Sequence, residues 1–283
     1  MILRAATLFL AMMLGLAALP DTASAQGTER PLRVMTFNVR LPLARDGVNR
    51  WEERRALVVQ TIAAARPDLV GTQELYKVQG DFIVHQLPQY AWFGTDRRGG
   101  HGDEHVGIIY DRGRLQVIES GDFWLSDTPN LPGSISWNNL FPRIVTWAVV
   151  ETRDTKRRFA VFNTHFPYRA EDEPARLRAA ELLASRMAAL APDLPVVLMG
   201  DFNTEPDGAV YQRLTERLID VRVAAPDVSG PEGTFHGFTG VAKRRIDWIL
   251  TRGFKPLRSK TLTHEAGAPY PSDHFPVTAE LGW

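Results

Sequence analysis

The 283-residue chain contains no cysteine. That excludes disulfides and thiol nucleophiles, and it leaves no thiol after the apolar N-terminal run for lipid attachment. Net charge is also lacking, with 33 basic residues against 33 acidic ones. Tight, sequence-independent binding to a nucleic-acid backbone needs clustered Lys and Arg, so neutrality argues against it without removing it. Local clusters such as Lys156-Arg157-Arg158 read as solvated faces. Three signatures are missing as well: the P-loop, the glycine fingerprint of dinucleotide folds and the G-x-S-x-G elbow. Kinase, dehydrogenase and serine-esterase chemistry therefore have no support. No short repeat or low-complexity linker divides the chain.

Long apolar runs are almost absent too. The one at the N-terminus, LFLAMMLGLAAL, is interrupted by Pro20 and Asp21 before it reaches the ~20 residues of a membrane span. Arg4 precedes it and Ala23-Ser24-Ala25 follows, a small-residue cleavage pattern before Gln26. This is the layout of a secretory leader over residues 1–25, and it predicts export to a periplasm or to the medium. Without residues 1–25, 32 basic and 32 acidic residues remain. An exported chain without disulfides must rely on its core. Residues 26–283 are long enough to build one as a single domain.

What the chain does have is strand-like runs: LRVMTFNV, DLVGTQE, VGIIYD, RIVTWAVVE, RFAVFNTHF, LPVVLMGDF, RIDWILT and FPVTAEL. Many are rich in β-branched and aromatic residues and bounded by Gly, Pro or Asp. Helical periodicity appears over residues 50–66, with Leu57, Val58, Ile62 and Ala65 on one stripe, and over 173–191, with Leu177, Leu182, Leu183 and Met187. Pro67 and Pro192 close these helices. Strand TFNV, a helix and strand VGTQE make one unit; VFNTH, a helix and LMGDFN make a second. Continuous apolar strands beside alternating ones predict an α/β fold of two packed mixed sheets with helices on the outer faces.

Polar residues gather where these strands end. Asn38, Glu74, Asn163, His165, Asp201 and Asn203 follow apolar runs, Asp247 interrupts RIDWIL, and Asp273-His274 precede the last strand. Singly, each has an ordinary reading: Asn38 as a strand terminator, Asp201 and Asn203 as turn formers before Pro206-Asp207-Gly208, the histidines as half-buried packing residues. Together they would require several independent coincidences.

The segments TFNVR, TQE, NTHF, GDFN, RIDWI and SDHFP, in that order, resemble the endonuclease/exonuclease/phosphatase superfamily over residues 32–282. SGDFWLSDTPNLPGS and LFPRIVTWA resemble a secreted bacterial branch of it. The resemblance implies the four-layer sandwich of deoxyribonuclease I, and a hydrolase in which a metal-assisted, His-activated water attacks phosphorus. It implies Glu74 as main ligand of Mg²⁺, or Mn²⁺, with Asn38 beside it and Asp273 within reach. Hard oxygen donors suit that ion. It further implies His274 as general base oriented by Asp247, Asp201 as positioner of the water or support for the metal side of the phosphate, Asn203 as donor to the phosphate, and His165 at the phosphate or leaving group. Arg143 is expected to approach the same site as a substrate ligand, with an ordinary surface arginine as the alternative.

Three further features are weaker. Gly99, Gly100 and Gly102 make a helical zinc pair of His101 and His105 implausible and point to a flexible substrate loop, with a plain solvated loop as the alternative. Lys243-Arg244-Arg245 stands ready for a phosphate. Trp51, Trp137 and Tyr168 are candidates either for a pocket or for the core. The expected substrate is a phosphorylated small molecule, a lipid headgroup or a nucleic acid, with no stable membrane insertion. A noncatalytic binding protein on the same fold is disfavoured because every expected polar position is filled.

Overall fold

A computed structural model of the chain describes residue 2, residues 30–264 and residues 269–283. The leader expected over residues 1–25 lies, apart from Ile2, outside the described residues. The chain runs β1 (Leu32–Asn38), α1 (Trp51–Ala65), β2 (Leu69–Gln73), α2 (Lys77–Gln86), β3 (Tyr90–Phe93), β4 (Ile108–Asp111) and β5 (Leu115–Trp124). It continues through β6 (Ile144–Thr152), β7 (Arg158–His165), α3 (Glu173–Leu190), β8 (Val196–Asp201), α4 (Ala209–Thr215), β9 (Ile219–Asp220) and α5 (Val221–Ala224). The last strands are β10 (Asp227–Ser229), β11 (Asp247–Arg252), β12 (Lys255–Thr261) and β13 (Val277–Gly282).

The strands form two mixed sheets, ordered β10-β12-β13-β1-β2-β4-β3 and β5-β6-β7-β8-β11-β9. Three apolar clusters account for the layering. Val34, Leu69, Val161, Val197 and Ile249 meet between the sheets. Met35, Val70 and Ile109 face Val58 and Ile62 of α1 and Ile83 of α2. Phe162, Leu198 and Trp248 face Leu183 and Met187 of α3 and Val210 of α4. The order is therefore helix, sheet, sheet, helix, as expected. β1, β7 and β8 are covered on both faces, which is why they read as continuous apolar runs.

The two expected strand–helix–strand units are both present, because β1 pairs with β2 and β7 with β8 in parallel. Parallel neighbours require a crossover, and α1 and α3 supply it. The helix stripes differ from the expectation in one respect. Arg54 and Arg176 occupy buried positions among the apolar residues, while Leu57 and Leu177 are only half-buried. Strand β5, the edge of its sheet, escapes the sequence pattern because only its two ends are buried.

Close approach explains two glycines. A Cβ at Gly200 would stand 2.3 Å from the carbonyl oxygen of Thr164 on the neighbouring strand. At Gly71 it would stand 2.5 Å from the Met199 sulfur of the facing sheet. Beside Gly71 lies a polar pin: Gln73 Nε2 donates to Asn163 Oδ1 at 2.7 Å, and Asn163 Nδ2 donates to the carbonyls of Thr72 and Gly107. Asn163 thus serves the joint between the sheets and does not reach the mouth where the other strand-end residues gather. Among the described residues, no helix is long and apolar enough to cross a membrane.

Candidate active site

Strand direction assembles the site. The parallel pairs β1/β2 and β7/β8 bring Asn38, Glu74, His165 and Asp201 to one end of the sandwich. Antiparallel neighbours contribute from their starts. Asp247, first in β11, sits opposite Asp201 in register, and Asp273-His274 lie just before β13, the neighbour of β1. The ends surround a cleft of about 530 Å³ whose lining includes Glu74, His165, Asp201, Asn203, Asp273, His274 and Arg143.

On the base side, His274 Nδ1 is 2.9 Å from Asp247 Oδ2. Pairing there assigns the proton to Nδ1 and leaves Nε2 facing Asp201 Oδ2 at 3.8 Å. His165 Nε2 approaches the same oxygen at 3.5 Å. Thr234 ties this side together: its hydroxyl accepts from the backbone of Ile246 and Asp247, and its carbonyl accepts from Phe275. Burial alone would lower the affinity of His274 for a proton, but Asp247, Asp201 and Asp273 raise its pKa to about 10. Burial and the Asp247 charge push Asp201 up to about 7. Burial, reinforced by Arg143 and His274, holds His165 well below its ordinary value, so it is neutral near pH 7.

On the other side, Asn38 Nδ2 bridges Glu74 Oε1 at 3.1 Å and Asp201 Oδ2 at 3.0 Å, linking the two halves. Leu41 N donates to Glu74 Oε2. The Arg40 guanidinium grips Asp46 and lies 3.8 Å from Glu74 and 3.6 Å from Asp273. Glu74 has a left-handed backbone (φ 57°), and so does Asn203 (φ 53°). Asn tolerates this region; a glutamate there costs roughly 1–2 kcal/mol, a strain sustained by the donors on its carboxylate.

Asn203 anchors itself through its backbone N–H to Asp201 Oδ1 and through Nδ2 to the Phe166 carbonyl, which leaves one amide hydrogen over. Arg143 is 94% buried, so the surface alternative is excluded. Its guanidinium lies over the Tyr168 ring at 6.0 Å and, among the described residues, has no hydrogen-bond or ion-pair partner. Five donors without an acceptor, lining a cleft, call for an anion.

A divalent metal fits these residues. Glu74, Asp273 and Asn38 offer hard oxygens, and the two carboxylates already converge on the cationic Arg40. A second possible grouping, Asp201 with Asp247 and His274, has ligand atoms within 4.8 Å of one another. There, however, His274 Nδ1 is already engaged with Asp247.

Sequence reasoning missed Arg54. This fully buried guanidinium donates to the carbonyls of Asn49, Val39, Pro271 and Arg40, clamping the β1–α1 loop to the segment that carries Asp273. Its signal was a cation on an otherwise apolar helix stripe. Glu104 and Arg97 were missed as well; both line the cleft. The loop bearing them is pinned, not loose: the Asp96 carboxylate accepts from the backbone of Arg98, Gly100, Gly102 and Asp103. His105 is buried against the Leu75 carbonyl, and neither it nor His101 lines the cleft. Burial and the Glu74 charge raise Glu104 to about 6. Of the other candidates, Tyr168 and Arg244 line the cleft. Arg245 pairs with Asp220, Trp51 belongs to the core, and Trp137 packs against it.

A mixed double sheet with a His–Asp pair and an acidic oxygen cluster at one end defines a phosphoester-hydrolase type of site. The chain belongs to the endonuclease/exonuclease/phosphatase family, whose pattern matches residues 35–274. A solved mannosyl-6-phosphatase of Bacteroides thetaiotaomicron is similar over 89% of this chain and 100% of its own, at 31% identity and TM-score 0.84. An uncharacterised protein of Acanthamoeba polyphaga mimivirus is 30% identical over 182 residues, 61% of this chain. The catalytic domain of human nocturnin shares the fold, with TM-score 0.72 at 19% identity, over 89% of this chain and 93% of that one. The chain spans 66% of the length of the mimivirus protein and of full-length human nocturnin. Family and neighbours together support a hydrolase of the phosphoesterase or nuclease type.

Proposed function

We propose that the protein is an exported, Mg²⁺-dependent phosphoester hydrolase acting on phosphorylated small molecules, phosphorylated carbohydrate first among them. The observation that carries this reading is one cleft lined by His274, Glu74, Asp273 and Arg143, with Asp247 behind His274, Asn38 behind Glu74, and Arg143 without a partner among the described residues. The 31%-identical mannosyl-6-phosphatase supports the substrate class, and a pocket-sized cleft in a chain of zero net charge supports a small ester over a nucleic-acid strand. The apolar run and small-residue site over residues 1–25 support export.

Glu74, with Asn38 and Asp273, would hold the cation, which neutralises phosphate charge and stabilises the transition state. Mn²⁺ suits the same donors. His274 Nε2 takes the proton of the attacking water while Asp247 orients the ring and balances its positive charge. A cation held by Glu74 and Asp273 would offset part of the carboxylate charge that raises the His274 pKa, favouring the neutral form a base requires. Asp201 positions the water. Arg143 and the remaining Asn203 hydrogen meet phosphate oxygens, where charge develops. His165, kept neutral, stands at the phosphate or the leaving oxygen.

Hydrolysis of p-nitrophenyl phosphate and bis-p-nitrophenyl phosphate with and without EDTA tests the mechanism. Activity should vanish with EDTA and return with Mg²⁺ or Mn²⁺. Metal-independent turnover, or unchanged activity in Glu74→Ala and His274→Ala, would overturn it. Sequencing the N-terminus of exported protein should find Gln26; retention of residues 1–25 would overturn the leader.

A further inference from the structure

We infer that the cleft contains, beside the phosphate-binding residues, a subsite for the hydroxyl groups of a sugar phosphate, with Glu104 as its acceptor and Arg97 as the residue that positions it. The inference rests on the phosphoester-hydrolase reading above and adds to it where the organic part of the substrate lies.

Four observations carry it. Glu104 lines the same cleft as Glu74, Asp201 and His274, yet it touches neither the His274–Asp247 pair nor the Asn38–Glu74 link. Its Oε1 receives Arg97 NH1 at 3.0 Å, whereas Oε2 has no donor among the described residues. Arg97 is rigidly placed: NH2 meets Asp103 at 3.0 Å, the guanidinium stacks over Phe141 at 4.4 Å, and its backbone N–H donates to the Glu104 carbonyl. The loop is fixed from below by the four N–H donors on Asp96. Attack of water on phosphorus requires none of this.

A carboxylate oxygen without a donor is complementary to hydroxyl groups, and Arg143 lines the same wall with donors for hydroxyl oxygens or phosphate. Tyr168 and Phe141 line the cleft beside them, each with an arginine over its ring, Arg143 and Arg97. The same carboxylate disfavours a polyanion: the next phosphate of a nucleic-acid strand would face Glu104 as a like charge. Neutral hydroxyls suffer no such repulsion.

The test compares kcat/KM for a hexose 6-phosphate with kcat/KM for p-nitrophenyl phosphate, which has a phosphate but no hydroxyls. In Glu104→Gln and Glu104→Ala the ratio should fall at least about fivefold, mainly through KM of the sugar ester, as expected for a lost hydrogen bond to a charged group. Arg97→Gln should lower the ratio in the same direction, with Arg97→Lys restoring part of it. The isosteric Glu104→Gln keeps the test open if the alanine variant fails to fold. A smaller fall in the ratio overturns the subsite. So does a wild-type enzyme that cleaves p-nitrophenyl phosphate and no hexose phosphate. Cleavage of neither would instead overturn the hydrolase reading beneath it.

Discussion

In the first crossover, β1–α1–β2, the opening turn of the helix buries Arg54; in the second, β7–α3–β8, it buries Arg176. Both arginines reach back to carbonyls of the loop that leaves the preceding strand. Arg54 donates to four carbonyls in two segments and, among the described residues, has no carboxylate in its grip. Arg176 donates to the carbonyls of Pro167 and Arg169 and pairs with half-exposed Glu173. The strand–helix–strand units they brace differ in kind. The first presents Asn38, Glu74 and, through Pro271, Asp273, an acidic set with Arg40 beside it. The second presents His165 and Asp201, buried with a neutral imidazole. In the proposed mechanism the first unit would face a cation and the second a proton and a water, and an internal guanidinium braces each.

The largest expected effect sharpens this division. His274→Ala and Asp247→Asn should each lower kcat by about 10²–10⁴-fold, and added Mg²⁺ should not restore it. Glu74→Gln should lower activity in a way that rising Mg²⁺ partly recovers. Steady-state rates across a metal titration separate the two, and equal rescue on both sides would erase the distinction.

Next comes the clamp itself. Arg54→Met strands several buried carbonyls and should cost about 3 kcal/mol in urea unfolding, with Arg176→Met costing about 1 kcal/mol because fewer acceptors lose a partner. Equal costs would mean that the units are held alike.

Gly200→Ala should cost about 2 kcal/mol, because its Cβ meets rigid backbone, and Gly71→Ala less, because the Met199 side chain can move. The reverse order would place the tighter constraint between the sheets instead of within one.

The smallest effect concerns the β10–β11 connection, which packs against the segment carrying Asp273. His236 stacks on Phe275 and accepts from Gly240 N–H at Nδ1, while its own backbone N–H holds the Asp273 carbonyl. Burial, aided by the His274 charge, lowers its pKa from 6.5 to about 4. The unfolded chain therefore binds a proton that the folded one refuses. Stability from this group is complete above pH 6.5 and is lost as pH falls toward 4. Thermal melting should decline through that window, and His236→Gln should flatten the decline.

Much of this was legible along the chain because strands and reactive residues share a simple grammar. An apolar run that ends on Asp201 or Asn38 marks both a buried strand and the end that faces solvent chemistry. Asn163 misled because its motif looks like its neighbours'; only the facing sheet reveals that it pins Gln73. Glu104 and Arg97 sit in a glycine-rich stretch whose pattern suggests looseness, and four hydrogen bonds to one carboxylate make it rigid. Arg54 violates an apolar stripe, a visible irregularity whose meaning depends on carbonyls up to 217 residues away.

The sequence by itself determined the layers, the two crossovers and the chemical identity of the strand-end residues, since local periodicity and residue type are properties of neighbours in the chain. Only the tertiary structure decided which of those residues meet. Contact across sheets depends on register, strand direction and buried donors, and these join positions far apart in sequence. That is how Asn38 comes to touch Asp201, and how Arg143 comes to lie buried in the cleft with no partner among the described residues.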